Sequence, residues 1–423
     1  MEKCILSHKT NLTQIYGATG FKKIDKALKE LAEVSPLETE IVYIDDKTST
    51  QRHRLDPVSE NDTDKIQTFI EKLCKQYDTE YLLVIGGHRI IPFYSLKDPT
   101  NPNQIVYSDA PYADIYYDDL RSPDVSMGRM PDGGVTDPSL LLNQIQTAIK
   151  YFKGITEKTN DTSGVSAKTW ESVSHNLYKR IKKETELVLT PEYGLGKNVP
   201  EHINVAVLRP QKWQLERPAS VTKAMIEHVS ASVKKILDPK IFTGRKLIYF
   251  NVHGDDRVPE WMGDMMLRFT IEGEECILIV YPDILLPKII KQANVKNAIV
   301  FTEACFGAYT IDKTPETSNA LCFLNQGVLC FVGSTAVAYG EPRKRYPRWA
   351  DVLAQYFFDF VKRKYEVGAA FQMAKQRYVG TERPFNREDL KTMYEFLLYG
   401  DCLLYTSDAA DELDGVDLGG RRI

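Results

Sequence analysis

The chain has 423 residues, 43% of them hydrophobic and 26% charged, which gives a globular protein room for two or three domain-sized units or one large α/β sheet. Basic and acidic side chains nearly balance, 54 against 58 for a net of -4, so no electrostatic drive toward nucleic acid or an anionic membrane surface is present. The seven cysteines form no CxxC pair and no zinc spacing, so they read as reduced thiols with no metal site. The opening MEKCILSHKT lacks the apolar core of a signal peptide, and no run reaches the ~18 apolar residues of a membrane span. The default location is the cytoplasm, with secretion the alternative if a preceding segment is missing.

Strand and helix signals alternate from the start. Residues 21–34, FKKIDKALKELAEV, carry helical apolar spacing, and 39–46, TEIVYIDD, read as a strand. TDKIQTFIEKLCKQY (63–77) is a helix capped by Asp62 or Thr63, and EYLLVIGGHRIIPFY (80–94) is a buried strand that breaks at Gly86-Gly87. DVSMGRM (124–130) is a short strand and LLLNQIQTAIKYFKG (140–154) a helix. The polar stretch 155–170 reads as a linker or exposed loop. A second α/β unit follows. KLIYFNVHGDD (246–256) is a strand that breaks at His-Gly, CILIVYPDIL (276–285) a strand region, and KNAIVFTEACFGAY (296–309) a buried strand entering a turn. TSNALCFLNQG (317–327) is a helix, VLCFVGSTAVAYG (328–340) a strand, 349–379 one long or broken helix, and 387–400 a last helix. The expected fold class is α/β, with mostly parallel sheets flanked by helices in two side-by-side subdomains. The expected division is an N-terminal α/β subdomain over 1–154, a linker over 155–170 and a catalytic subdomain over 171–401. The stretch 402–423, CLLYTSDAADELDGVDLGGRRI, resembles translated adapter read-through and is expected to be a non-native, disordered tail.

Active sites of parallel sheets lie at the carboxyl ends of strands. Two predicted strand ends carry reactive side chains, His253 and, 52 residues later, Cys305. A thiol with an ordinary pKa near ~8.5 needs an imidazole neighbour to act as a nucleophile at neutral pH. The backbone N–H groups of Gly254 and Cys305 are candidates for an oxyanion site, and a glycine at 254 lets substrate backbone approach. On residue types alone a structural histidine and a buried small thiol account for the pair as well; Cys276, Cys322 and Cys330 read as such buried thiols.

The His-Gly and Glu-Ala-Cys strand ends resemble the caspase-like clan, where the histidine precedes the cysteine by about 50 residues. More of the chain resembles the gingipain-type C25 peptidases: YLLVIGGHRIIPFY (81–94 for its core), YSDAPYADI (107–115) with SMGRMP (126–131), VLCFVGSTAVAYG and LLYGD (397–401). The order and spacing agree from about residue 80 to 401. Cys402 stands where that family has proline, and neither its prodomain nor its signal is visible. The resemblance implies a cysteine endopeptidase with His253 and Cys305 as catalytic residues, acting on a protein or peptide in a bacterial processing or defence pathway. No match for the carboxylate that orients the family's histidine is evident in 155–170. A pseudoprotease that only binds a partner, and a transpeptidase using the same dyad, are the alternatives. Oligomeric state is open.

For the residue before the scissile bond, Glu171 lies near the family's acidic S1 position and argues for arginine or lysine. The basic loop EPRKRYPRW (341–349), Arg343 included, argues for an acidic residue. Asp255, Asp256 and Trp261 follow His253 and are expected at the cleft rim. Glu303 should share a strand face with Cys305, and Ser334 belongs to the Ser-Thr turn. No cofactor is expected, although Asp109 and Asp114 leave room for a structural calcium.

Overall fold

Short runs such as KCILS, YLLVI, RKLIYFN and IVFT are apolar on both faces, which suits strands covered on both sides in parallel pairing. The structure is a computed structural model. It describes residues 1–405 apart from 117–118, 158, 160, 182–186, 190–204, 209–236, 272–273, 343–345 and 382–383, and gives the backbone alone for 187–189, 205–208, 265–271 and 274–280. Among the described residues the central sheet has ten strands. They are β1 (Lys3–Ser7), β2 (Thr39–Tyr43), β3 (Tyr81–Ile85), β4 (Ser126–Met130), β5 (Asp161–Ser166), β6 (Leu187–Leu189), β7 (Arg245–Asn251), β8 (Ile299–Thr302), β9 (Cys330–Ser334) and β10 (Phe396–Gly400).

Their spatial order is β2-β1-β3-β4-β10-β9-β8-β7-β5-β6. Every neighbouring pair is parallel except β9 with β10, where Val332 lies opposite Leu398. Two α/β halves of opposite strand direction therefore meet at that seam to make one sheet. In the half that holds them the carboxyl ends of β5, β7, β8 and β9 gather at a single edge. Alternation along β7 separates the two cores: Tyr249 faces a cluster with Phe301, Phe357 and Phe358, and Phe250 faces one with Trp261, Phe323 and Phe331.

The first helix runs Lys9–Val34, longer than its apolar period suggested, and kinks at Gly17, whose φ of 68° lies in the left-handed region. The expected helix over 349–379 is two, Ala350–Val361 and Val367–Val379. The last predicted helix ends at Glu395, and its remainder is β10, held by pairing to β9. Among the described residues no helix is long and apolar enough to cross a membrane.

Two expected boundaries are corrected. The stretch 155–170 is no linker: β5 pairs with β7, Val165 lying opposite Phe250, inside the second half of the sheet. Its polar composition misleads because Ser166 Oγ is satisfied by Ser174 Oγ of the following helix at 2.8 Å, while Val165 and Ala167 are buried. Likewise the start of the supposed tail belongs to the fold. Cys402, Leu403 and Leu404 are buried, and the Val367 N–H donates to the Leu404 carbonyl at 2.7 Å. Residues 406–423 lie outside the described residues.

Candidate active site

Past β7 the chain leaves the sheet through Val252 to His253. The backbone of His253 pairs with Met262 in both directions, each N–H···O at 2.9 Å, so the following loop folds back over it. That return carries Asp264 to the imidazole, 3.4 Å from Oδ2 to Nε2. The Thr169 N–H donates to the same carboxylate at 3.1 Å. Burial raises the Asp264 pKa, but the bonds from His253 and Thr169 outweigh it and hold the carboxyl below its usual range. An Nε2–H donated to Asp264 leaves Nδ1 as the basic nitrogen, a tautomer assigned from this bonding. Trp170, just past β5, covers one part of the ring at 4.5 Å between centroids, and Tyr281 meets it edge-on at 4.8 Å.

Past β8, Glu303 and Ala304 lead to Cys305. Phe306 adopts a φ of 55°, unusual for a bulky residue, and its N–H donates to the Ala336 carbonyl at 2.7 Å. The Ala308 N–H donates to Ser334 in the same way at 2.7 Å, so the turn is stitched to the segment leaving β9. A Cβ on Gly254 would lie 2.2 Å from the Cys305 carbonyl oxygen. Glycine is thus required there by the close passage of two chain segments, a reason beyond the expected access for substrate. Among the described residues, neither the Gly254 nor the Cys305 N–H has a backbone acceptor.

Of the cysteines whose side chains are described, Cys305 alone is partly exposed. Its Sγ lies 3.7 Å from the Ala338 carbonyl, to which it donates. Burial pushes the thiol up to about 11 against the pull of that contact, so the resting group is a thiol rather than a thiolate. Cys322 and Cys330 are buried as expected; the side chain of Cys276 lies outside the described residues.

Residues 15–406 match the model of peptidase family C25. The chain belongs to that family. It is accordingly a cysteine peptidase, with protein or peptide substrates. One solved structure, a protease, aligns at 12% identity with a TM-score of 0.50, covering 96% of this chain and 78% of that one, a likeness of fold. A second, the Saccharomyces cerevisiae separase–securin complex at 3.0 Å, aligns at 11% identity with a TM-score of 0.40, covering 93% of this chain and 22% of that one. No curated protein sequence matches the chain.

Within this C25 peptidase the remaining predicted site residues are dispersed. Glu171 opens the helix Glu171–Ile181 beside Trp170, and its carboxylate bonds Lys168. Asp255 is committed to Arg257, at 2.9 Å to Nε and 2.6 Å to Nη2, and that ion pair brings its pKa down to about 2. Trp261 is no rim residue: its indole is buried against Phe250 at 5.0 Å between centroids. Ser334 is fully buried, bonding Ala336 within its own turn at 2.9 Å. Arg343 lies outside the described residues.

Glu303 does not share a strand face with Cys305, because β8 ends at Thr302. Its side chain is buried instead, accepting from the Tyr249 hydroxyl at 2.7 Å and bonding Asp351. Burial and the Asp351 charge push Glu303 well above the carboxylate range, and burial raises Asp351 to about 6 against the N–H groups of Glu341 and Arg348. Glu303 therefore keeps the proton of the pair. Asp109 gives both oxygens to Arg129, at 2.9 and 2.5 Å, which answers its charge without a cation. Among the described residues no three His, Cys, Asp or Glu side chains gather as a metal site.

Sequence reasoning missed Trp170, Asp264, Tyr281 and Asp351. Asp264 carried one signal, a carboxylate just past a short turn after the histidine. Only the His253–Met262 pairing says that this turn brings it back.

Proposed function

We propose that Cys305 is the nucleophile and His253 the general base and acid of an endopeptidase, with Asp264 orienting the imidazole. A peptide carbonyl docks with its oxygen toward the N–H groups of Gly254 and Cys305. Nδ1 of His253 takes the thiol proton as Sγ attacks the carbonyl carbon, so the costly buried thiolate forms only as it is consumed. The imidazolium then protonates the leaving nitrogen, the C–N bond breaks and a thioester remains. Water, deprotonated by His253, attacks the thioester, and the proton returns to sulfur as the acid product leaves. What supports this reading is that, among the described cysteines, the one partly exposed thiol follows a strand adjacent to the one that carries an imidazole held by Asp264, Trp170 and Tyr281.

The same reading sets arginine or lysine before the scissile bond. Glu171 adjoins Trp170, and a Cβ on Gly340 would lie 3.2 Å from Trp170 Nε1 and 3.6 Å from Asp351 Oδ1, so carboxyls flank that side of the cleft. The test is labelling by peptidyl electrophiles differing only in that residue, followed by peptide mapping. An arginyl reagent should modify Cys305 faster than an aspartyl one, and Cys305→Ala should lose both the adduct and cleavage. Cleavage surviving in that variant, or an adduct on Cys322 or Cys330, overturns the assignment.

A further inference from the structure

A small pocket of about 20 Å³, lined by residues that follow both members of the dyad, is used by no step above. It is built by the segments that directly follow the two reactive residues: Asp255 and Trp261 after His253, and Phe306 and Tyr309 after Cys305. Asn319 also lines it. It shares no lining residue with the Trp170, Ala338 and Gly340 side of the cleft, toward which the thiol points. A peptide crossing the dyad therefore lays one half over each side. The group that protonates the leaving nitrogen is His253, and the pocket is made from the loop His253 begins. The departing half belongs there.

The chemistry of the pocket follows from its charges and its one unmet bond. The Asp255 carboxylate is paired with Arg257, and the Lys313 ammonium donates to the Asp256 backbone carbonyl. Asn319 is only 2% exposed. Its Nδ2 donates to the Pro259 carbonyl at 2.8 Å, which fixes the amide orientation and leaves Oδ1 as the acceptor end. Oδ1 is buried and receives no hydrogen bond from the described protein. A buried acceptor of this kind favours an occupant that brings a donor. The rest of the accessible wall is mostly polar, which suits a small hydroxyl-bearing group better than a bulky apolar one.

We propose that Asn319 is a specificity-determining residue of a leaving-side subsite, selecting serine or threonine immediately after the scissile bond through a hydroxyl donated to Oδ1. The proposal rests on the Cys305 mechanism above. The experiment uses the full chain and internally quenched peptides with arginine before the bond and serine, threonine, alanine or leucine after it. One hydrogen bond gained should make kcat/KM for serine and threonine about tenfold that for alanine, with leucine lower still. Asn319→Leu should bring the serine-to-alanine ratio to about one. Because that variant also loses the tie to Pro259 and can fail to fold, the wild-type acyl-enzyme offers a second reading. Formed from an arginyl ester, it should partition to serine amide about tenfold more than to alanine amide. Equal cleavage and equal partitioning overturn the subsite alone, solvent then serving Oδ1. No cleavage of any peptide, together with no Cys305 adduct, overturns the Cys305 mechanism and the subsite with it.

Discussion

Asp264 does two things at once, orienting an imidazole and paying for its own burial with bonds from His253 and Thr169. Asp264→Asn keeps an oxygen for the Thr169 N–H but can no longer stabilise an imidazolium, and it admits the wrong tautomer. The expected outcome is a fall in kcat/KM of about 100-fold or more with little change in melting temperature, and the pH–rate profile should shift with it. A variant with wild-type kcat/KM would remove Asp264 from the mechanism. The sign of its effect on stability is also determined. Its folded pKa is depressed, so its contribution is fully present above the unfolded value near ~3.9 and is lost as pH falls through the folded value. Glu303 and Asp351 have the opposite sign: their raised pKa values make the pair easier to keep folded as pH falls toward and below about 6.

At the scale of elements, the segment after β10 decides how the two helices Ala350–Val361 and Val367–Val379 sit against the sheet. Cys402 fills the space over Gly368, where an added Cβ would meet the Cys402 Cβ at 2.5 Å, and the Gly368 N–H donates to the Cys402 carbonyl at 2.9 Å. Truncation after Asp401 removes Cys402, Leu403 and Leu404, all buried. At ~1.5–3 kcal/mol for each buried leucine, the loss should be about 3–6 kcal/mol, with a lower urea midpoint. Truncation after Tyr405 should retain that stability. Equal midpoints for the two truncations would show that 402–404 do not pack as described.

Across the whole molecule, the first strand and the turn after the last are held by one buried ion pair, Lys3 Nζ to Asp401 at 2.7 and 2.6 Å, both side chains fully buried. Lys3→Met would strand a buried carboxylate and should cost about 3–5 kcal/mol in denaturant unfolding. Adding Asp401→Leu should recover much of that loss, since the uncompensated charge disappears. If the double variant is as unstable as the single one, packing around β1 rather than charge governs this junction.

The alternation of apolar runs with helical spacing was enough to define an α/β protein, because a strand buried on both faces must be apolar throughout. His253 and Cys305 stood out as candidates for the same reason: each interrupts such a run at its carboxyl end, where polar side chains reach a shared edge. Motif order carried the C25 family. The limits of β5 were not legible, since DTSGVS gains its place by pairing with β7 and by the bond from Ser166 to Ser174 of the following helix. The fate of Cys402–Leu404 was equally hidden, because three apolar residues have no period and only the Gly368 face shows where they go. Asp264 reaches the site from a loop whose return path depends on the His253–Met262 pairing, Trp170 from a short helical turn after β5 and Asp351 from the first turn of the helix Ala350–Val361. Sequence thus marked the two candidate reactive residues, and the tertiary structure decided which residues surround them, because those surroundings are set by contacts between segments far apart along the chain.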